Sequence, residues 1–133
     1  MAEMVEGLIF DMDGVIIDSN PYHKISWKNF LLRKGLPFSD ELFDNVLSGK
    51  TGETSLRILI DPDLPNEKIK SYLHEIDSDF QQIFRNAGHV ESIPGLAAFL
   101  DSVRKAGIKT AMATSAPPGN VDLVMERLNL RGY

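Results

Sequence analysis

The chain has 133 residues, of which 43% are hydrophobic and 25% charged, which is enough apolar material for the core of an ordinary domain and too much for a disordered chain. The formal net charge of -5, from 19 acidic against 14 basic side chains with no run of Lys and Arg, argues against nucleic acid as a partner. With no cysteine, a disulfide framework, a thiolate metal site and a cysteine nucleophile are excluded together, and any metal must sit on oxygen or imidazole ligands.

Met1 to Phe10 has no basic lead-in and no small-residue cleavage site, and no later run is long and apolar enough to span a bilayer. A soluble cytoplasmic protein without a membrane partner is therefore expected. Val5 to Phe10 is a short, mostly apolar run that stops at Asp11-Met12-Asp13-Gly14, the pattern of a buried parallel strand delivering polar groups at its carboxyl end.

Asn20-Pro21 reads as a cap and first-turn pair, Trp27, Phe30 and Leu31 share one helical face, and Gly35 stops that helix. Ser39 caps a short helix holding Leu42, Phe43, Val46 and Leu47, after which the polar stretch Ser48 to Thr54 breaks the pattern before Leu56, Ile58, Leu59 and Ile60. From Asn66 onward Ile69, Tyr72, Leu73, Ile76, Phe80, Ile83 and Phe84 recur at helical spacing, and this continuous stripe predicts a long helix packed in a bundle.

Pro94-Gly95 opens a helix with Leu96, Phe99, Leu100 and Val103 inward, and Gly107 closes it before a second strand, Ile108 to Ala113. Thr114-Ser115 follows, then a helix with Val121, Val124, Met125 and Leu128 in which Asp122 and Glu126 belong to packing rather than chemistry. The order strand, helical insert, helix, strand, helix predicts an α/β fold, with residues 1–15 and 93–133 as its core and 16–92 as a helical insert.

Two carboxylates one residue apart at a strand end, with glycine next, place acids where backbone amides are free, a place for an anion, with the amides of Met12 and Gly14 as donors. Phosphoryl transfer needs a nucleophile, a cation and donors around the phosphate oxygens. Asp11 suits attack on phosphorus, and Asp13 suits giving or taking the proton of the leaving or entering hydroxyl. Two acids this close repel, so a bound Mg²⁺ is what lets Asp11 stay ionised, and Asp11 and Asp13 are the expected metal residues. A calcium loop fails, because its fifth, sixth and twelfth positions from Asp11 are Val15, Ile16 and Tyr22; a purely structural Asp-Gly turn is the remaining alternative.

The run from Gly7 through Phe10, Asp11, Asp13, Gly14, Asp18 and Ser19 resembles the first motif of the haloacid dehalogenase-like (HAD) superfamily, in its β-phosphoglucomutase-like branch of phosphatases and phosphomutases. That resemblance implies a Rossmann-like core with an inserted α-helical cap domain, Asp11 as nucleophile and metal ligand, and Asp13 as general acid/base that also offers its backbone carbonyl to the metal. The second aspartate disfavours a dehalogenase. Ala111 to Ser115 resembles the second motif, with Thr114 as the phosphate-binding hydroxyl and Ser115 beside it; on the residues alone a Thr-Ser pair is equally a cap or turn former.

By the same resemblance, Ser19, His23 and Trp27 match positions of the first cap helix, where a spacing of four puts them on one face. His23 would couple cap closure to Asp13; the alternative is a surface histidine beside a core tryptophan. Gly49, Lys50, Thr51 and Ser55 fall in a stretch that resembles the substrate-specificity loop of the cap, and the alternative is an exposed interhelical loop. A nucleotide-binding P-loop is rejected, since Asp44 stands where that motif needs glycine and no strand precedes it.

Where β-phosphoglucomutases carry a phosphate-gripping arginine, this chain has Gly52, which favours hydrolysis over phosphosugar transfer unless Lys50 or Arg57 substitutes. The expected activity is a phosphatase on a small phosphorylated metabolite; a phosphomutase, a pyrophosphatase and a non-catalytic binding fragment are the alternatives. The lysine and acidic pair that complete such sites are absent, so the chain reads as an N-terminal fragment, inactive alone, whose sheet a second chain or segment completes.

Overall fold

In the computed structural model, which describes residues 4–133, two strands pair in parallel, β1 (Gly7–Phe10) with β2 (Lys109–Met112), in the register Gly7 opposite Lys109 through Phe10 opposite Met112. Parallel partners need a crossover, and here it holds most of the chain. In order come α1 (Asn20–Arg33), α2 (Asp40–Leu42) running into a π-helical turn (Phe43–Leu47), α3 (Gly52–Leu59), α4 (Asn66–Asn86) and α5 (Leu96–Lys105), with α6 (Pro118–Arg127) following β2. This is the expected α/β class with an inserted helical segment.

The chain folds as two compact units, one made of the residues up to Ser19 together with Ala87–Tyr133, the other of Asn20–Asn86. Residues 16–19 and 87–92, read from sequence as part of the insert, thus group with the strands. The reason is local: Ile16 is buried with Leu96, Leu100 and Leu130, and its carbonyl accepts from the Ile93 amide at 2.8 Å. Met1, Ala2 and Glu3 of the expected core lie outside the described residues.

In the helical unit, α1 and α4 lie antiparallel. Tyr22 meets Phe84, the buried Ser26 hydroxyl donates to the Ile76 carbonyl at 2.9 Å, and Phe30 meets Tyr72. Trp27, Phe30, Leu31, Phe43, Leu47, Leu56 and Ile76 close one core, each large side chain contributing about 1.5–3 kcal/mol by leaving water. Ser39 accepts from the Leu42 amide at 3.0 Å as the expected cap. Wider winding follows: Ser48 donates to Phe43 over five residues, which turns both Phe43 and Leu47 inward, and periodicity of 3.6 does not foresee such a turn.

Gly35 and Gly107 end α1 and α5 with φ of 71° and 72°, and in each case the next residue bonds back five positions, Leu36 to Leu31 and Ile108 to Val103. Only glycine takes that left-handed turn at no steric cost, which is why both helices stop where the sequence places glycine.

In the sheet unit, Phe10 and Met112 pack on the cluster of Ile16, Leu96, Leu100 and Leu130. The alternate residues Gly7, Ile9, Lys109 and Ala111 are exposed, Ile9 by 76%. One expectation fails at α5: Phe99, read as inward, is 50% exposed. It stands edge-on to Phe10 with centroids 6.2 Å apart, at the rim of a sheet only two strands wide among the described residues.

Candidate functional site

Parallel register fixes the geometry of the site. Because Phe10 pairs with Met112, and Ala113 donates to the Phe10 carbonyl at 2.8 Å, both strands finish at the same edge. Asp11 and Thr114 therefore leave that edge side by side, the place where an open parallel sheet binds ligands.

Asp11 is exposed, and its Oδ1 accepts from the amide of Met12 at 2.7 Å. Met12 itself is buried, which anchors the turn, and its carbonyl accepts the amides of Val15, Ile16 and Ile17 at 2.9 to 3.3 Å. That compact turn needs Gly14 at φ 78°, and the Gly14 amide goes to the Ile17 carbonyl at 2.7 Å. The amides of Met12 and Gly14, expected to hold phosphate, are thus committed within the loop, since closing a turn this tight uses its own donors.

Folding the turn back brings Ser19 to Asp13. Ser19 is buried, and its hydroxyl donates to Asp13 Oδ1 while Asp13 remains exposed. Sequence reading placed Ser19 on the first helix of the insert; it belongs instead to the sheet unit, one residue before α1. The bond limits the rotamers of Asp13. After β2, Thr114 is half-buried and its Oγ1 accepts from the Ala116 amide at 3.1 Å, shaping the turn into α6, and Ser115 is exposed.

The remaining candidates lie in the helical unit. His23 stacks on Phe80 with ring centroids 4.3 Å apart and 16° between planes, and Phe80 stacks in turn on Phe84 at 5.6 Å. Trp27 is 7% exposed and Ser55 1%, so both side chains are buried. Their burial follows from amphipathic helices turning these faces inward, a fact the spacing of four did not decide. Gly49, at φ 76°, and Lys50 are exposed in the loop, and Thr51 caps α3, its Oγ1 accepting from the Thr54 amide at 3.2 Å.

Arg57 was the cation that sequence reading could not place. Its guanidinium bonds the carbonyls of Pro62 and Leu64 at 3.0 and 2.9 Å, Asn66 Oδ1 at 3.1 Å and Glu53 at 3.3 Å, so it closes the turn between α3 and α4. Only the Glu53–Arg57 spacing of four hinted at this. At Gly52, an added Cβ would sit 2.4 Å from Leu73 Cδ2, so even a methyl there displaces that side chain.

Mg²⁺ prefers oxygen ligands and takes one or two carboxylates, with substrate phosphate and water completing the sphere. Asp11 and Asp13, separated by one residue and both exposed, fit it in kind. Among the described residues no group of three or more His, Asp or Glu side chains gathers, so they supply part of such a sphere.

Known proteins resemble this chain in sequence and in fold. A family model described as haloacid dehalogenase-like hydrolase matches residues 8–133. A β-phosphoglucomutase of Bacillus subtilis is 26% identical over 129 residues, covering 93% of this chain and 56% of that protein. A phosphorylated carbohydrates phosphatase of Thermotoga maritima is likewise 26% identical over 129 residues, covering 97% of this chain and 58% of its own length. Among solved structures, a HAD hydrolase of family IA, variant 3, from Entamoeba histolytica superposes with a TM-score of 0.86 at 24% identity, over 96% of this chain and 57% of that one, a likeness of fold. The chain thus spans a little over half the length of these relatives.

Proposed function

The chain belongs to the haloacid dehalogenase-like hydrolases, in their β-phosphoglucomutase-like branch, and from that premise we propose that it carries the nucleophile of a phosphatase acting on small phosphorylated sugars or related metabolites in the cytoplasm. What supports this most is the emergence of exposed Asp11 beside Thr114 at the shared carboxyl edge of β1 and β2.

In this reading an oxygen of Asp11 attacks phosphorus, the bond from phosphorus to the substrate oxygen breaks, and Asp13 gives that oxygen its proton. Water then attacks the aspartyl phosphate, Asp13 takes a proton from it, and inorganic phosphate leaves with Asp11 restored. Ser19 serves by holding Asp13 in one orientation, and the hydroxyls of Thr114 and Ser115 serve as donors to the phosphate oxygens. Mg²⁺, when held by the Asp11 carboxylate and by Asp13, supplies positive charge against the phosphate and the two acids.

In the helical unit, Lys50 with Gly49 and Thr51 has the part of choosing among substrates, and His23 that of responding to it. A phosphomutase is the second reading, favoured by the similarity to the B. subtilis enzyme. Against it stand Gly52 and the commitment of Arg57 to its own turn, which leave no guanidinium of this loop for a second phosphate.

A panel of phosphate esters with Mg²⁺, assayed on this chain and on a C-terminally extended form, tests the reading. Phosphate release is expected from the extended form, reduced at least about 10³-fold by Asp11→Asn and about 10²–10⁴-fold by Asp13→Asn. Inactivity of both forms across the panel would instead favour a non-catalytic binding role, and conversion of a sugar 1-phosphate to its 6-phosphate would favour the mutase.

A further inference from the structure

The sequence holds one Asp-Gly step, Asp13-Gly14, and no Asn-Gly step. An aspartate followed by glycine is open to a reaction of the backbone itself, because glycine has no side chain to hinder its own nitrogen. That nitrogen attacks Cγ of the aspartate, a carboxyl OH and the amide hydrogen leave together as water, and a five-membered succinimide closes. Water then adds back at either carbonyl. Addition at the main-chain carbonyl leaves the chain running through Cβ and Cγ, an isoaspartate of unchanged mass.

In this chain the pair is reachable. Both residues are exposed, and a Cβ built on Gly14 would meet nothing within 4 Å. Yet the reacting atoms are held. The Gly14 amide hydrogen, which must be lost, is donated to the Ile17 carbonyl at 2.7 Å. The Asp13 carboxyl, which must swing onto that nitrogen, accepts from the buried Ser19 hydroxyl. Asp13 and Ile17 also form a parallel bridge, and three amides converge on the Met12 carbonyl, so the turn closes as a unit.

We propose that Asp13-Gly14 is a site of spontaneous isomerisation, kept slow because the turn from Met12 to Ser19 ties up both partners of the attack. The rate then follows how often the turn opens, since the ring closes from states in which both bonds are broken. The product carries its carboxylate directly on Cα, and its main chain is one carbon longer between residues 13 and 14. Neither the Ser19 bond nor the Gly14 bond to Ile17 fits that altered spacing, so a turn once isomerised stays open. Nothing in this depends on what Asp11 does.

Ageing this chain at neutral pH tests the proposal. Isoaspartate at residue 13 is read in the tryptic peptide that ends at Lys24, by chromatography and electron-transfer fragmentation. The folded parent should isomerise at least about tenfold more slowly than the same chain in urea. Ser19→Ala, shown to be folded by its far-ultraviolet circular dichroism, removes a bond to a charged acceptor and should speed the native reaction about tenfold, with the urea rate unchanged. Equal parent rates in native buffer and in urea overturn the proposal, as does a folded Ser19→Ala no faster than the parent, or no isoaspartate at residue 13 in urea. The parent comparison needs no substitution, so it decides the matter even where Ser19→Ala does not fold.

Discussion

In the helical unit each amphipathic helix has another stripe to meet, whereas in the sheet unit the strands are covered on one face and bare on the other. Phe30, Leu31 and Leu56 are fully buried in one core of the helical unit, while Ile9, in the middle of a strand, is 76% exposed. Adjacent helices can close a core from a contiguous stretch of sequence; a parallel sheet needs material on both sides. The loops of Asp11 and Thr114 therefore sit on the unit whose sheet has one bare face.

The sharpest way to break this contrast is Phe80→Ala. Removing a ring that is stacked on both His23 and Phe84 should cost the helical unit about 3–5 kcal/mol, read by denaturant unfolding, with exchange at β1 and β2 unaffected. Equal loss of protection in the strands would show that the two units unfold as one.

A smaller effect is expected at the outer face of α1 and α4, where Glu75 accepts from Arg33 at 2.8 Å and pairs with Lys34 at 3.0 Å. Burial pushes the Glu75 carboxyl up, but the bonds from Lys34 and Arg33 outweigh that and hold it below the ordinary glutamate value. A lowered carboxylate adds stability above its unfolded-state value, and that stability is lost as pH falls through the folded value. Glu75→Gln should thus cost about 0.5 kcal/mol near neutrality, the scale of partly exposed pairs, and the difference from the parent should shrink toward zero in acid. A difference that grows on acidification would reverse the assignment.

At the other extreme, Ile9→Thr should change stability by no more than about 0.5 kcal/mol, since the side chain has little burial to lose. A loss well above about 1 kcal/mol in chemical denaturation would mean that this face is covered in solution.

What the sequence disclosed follows the same division. Hydrophobic period and glycine stops marked α1, α4, α5 and both strands, because each signal acts within a few residues. The strand end and turn that carry Asp11 and Asp13 were legible for the same reason, since strand, acids and glycine are contiguous. The bond from Ser19 to Asp13 was not, since it exists only once the Met12–Ile17 turn has folded back. Nor was the inward place of Ser55 or Trp27, which depends on how the helices rotate against one another, nor the use of Arg57 on the carbonyls of Pro62 and Leu64.

The antiparallel pairing of α1 with α4 has a wider consequence. Tyr22 lies against Phe84 and Ser26 against Ile76, so the segment begins and finishes at neighbouring points whatever is threaded between them. Such a cassette can be lengthened, shortened or exchanged while its host need bridge only a short gap, because the entropic penalty of a loop grows slowly with its size. The helical unit can then vary while the strand ends that bear Asp11 and Thr114 stay as they are.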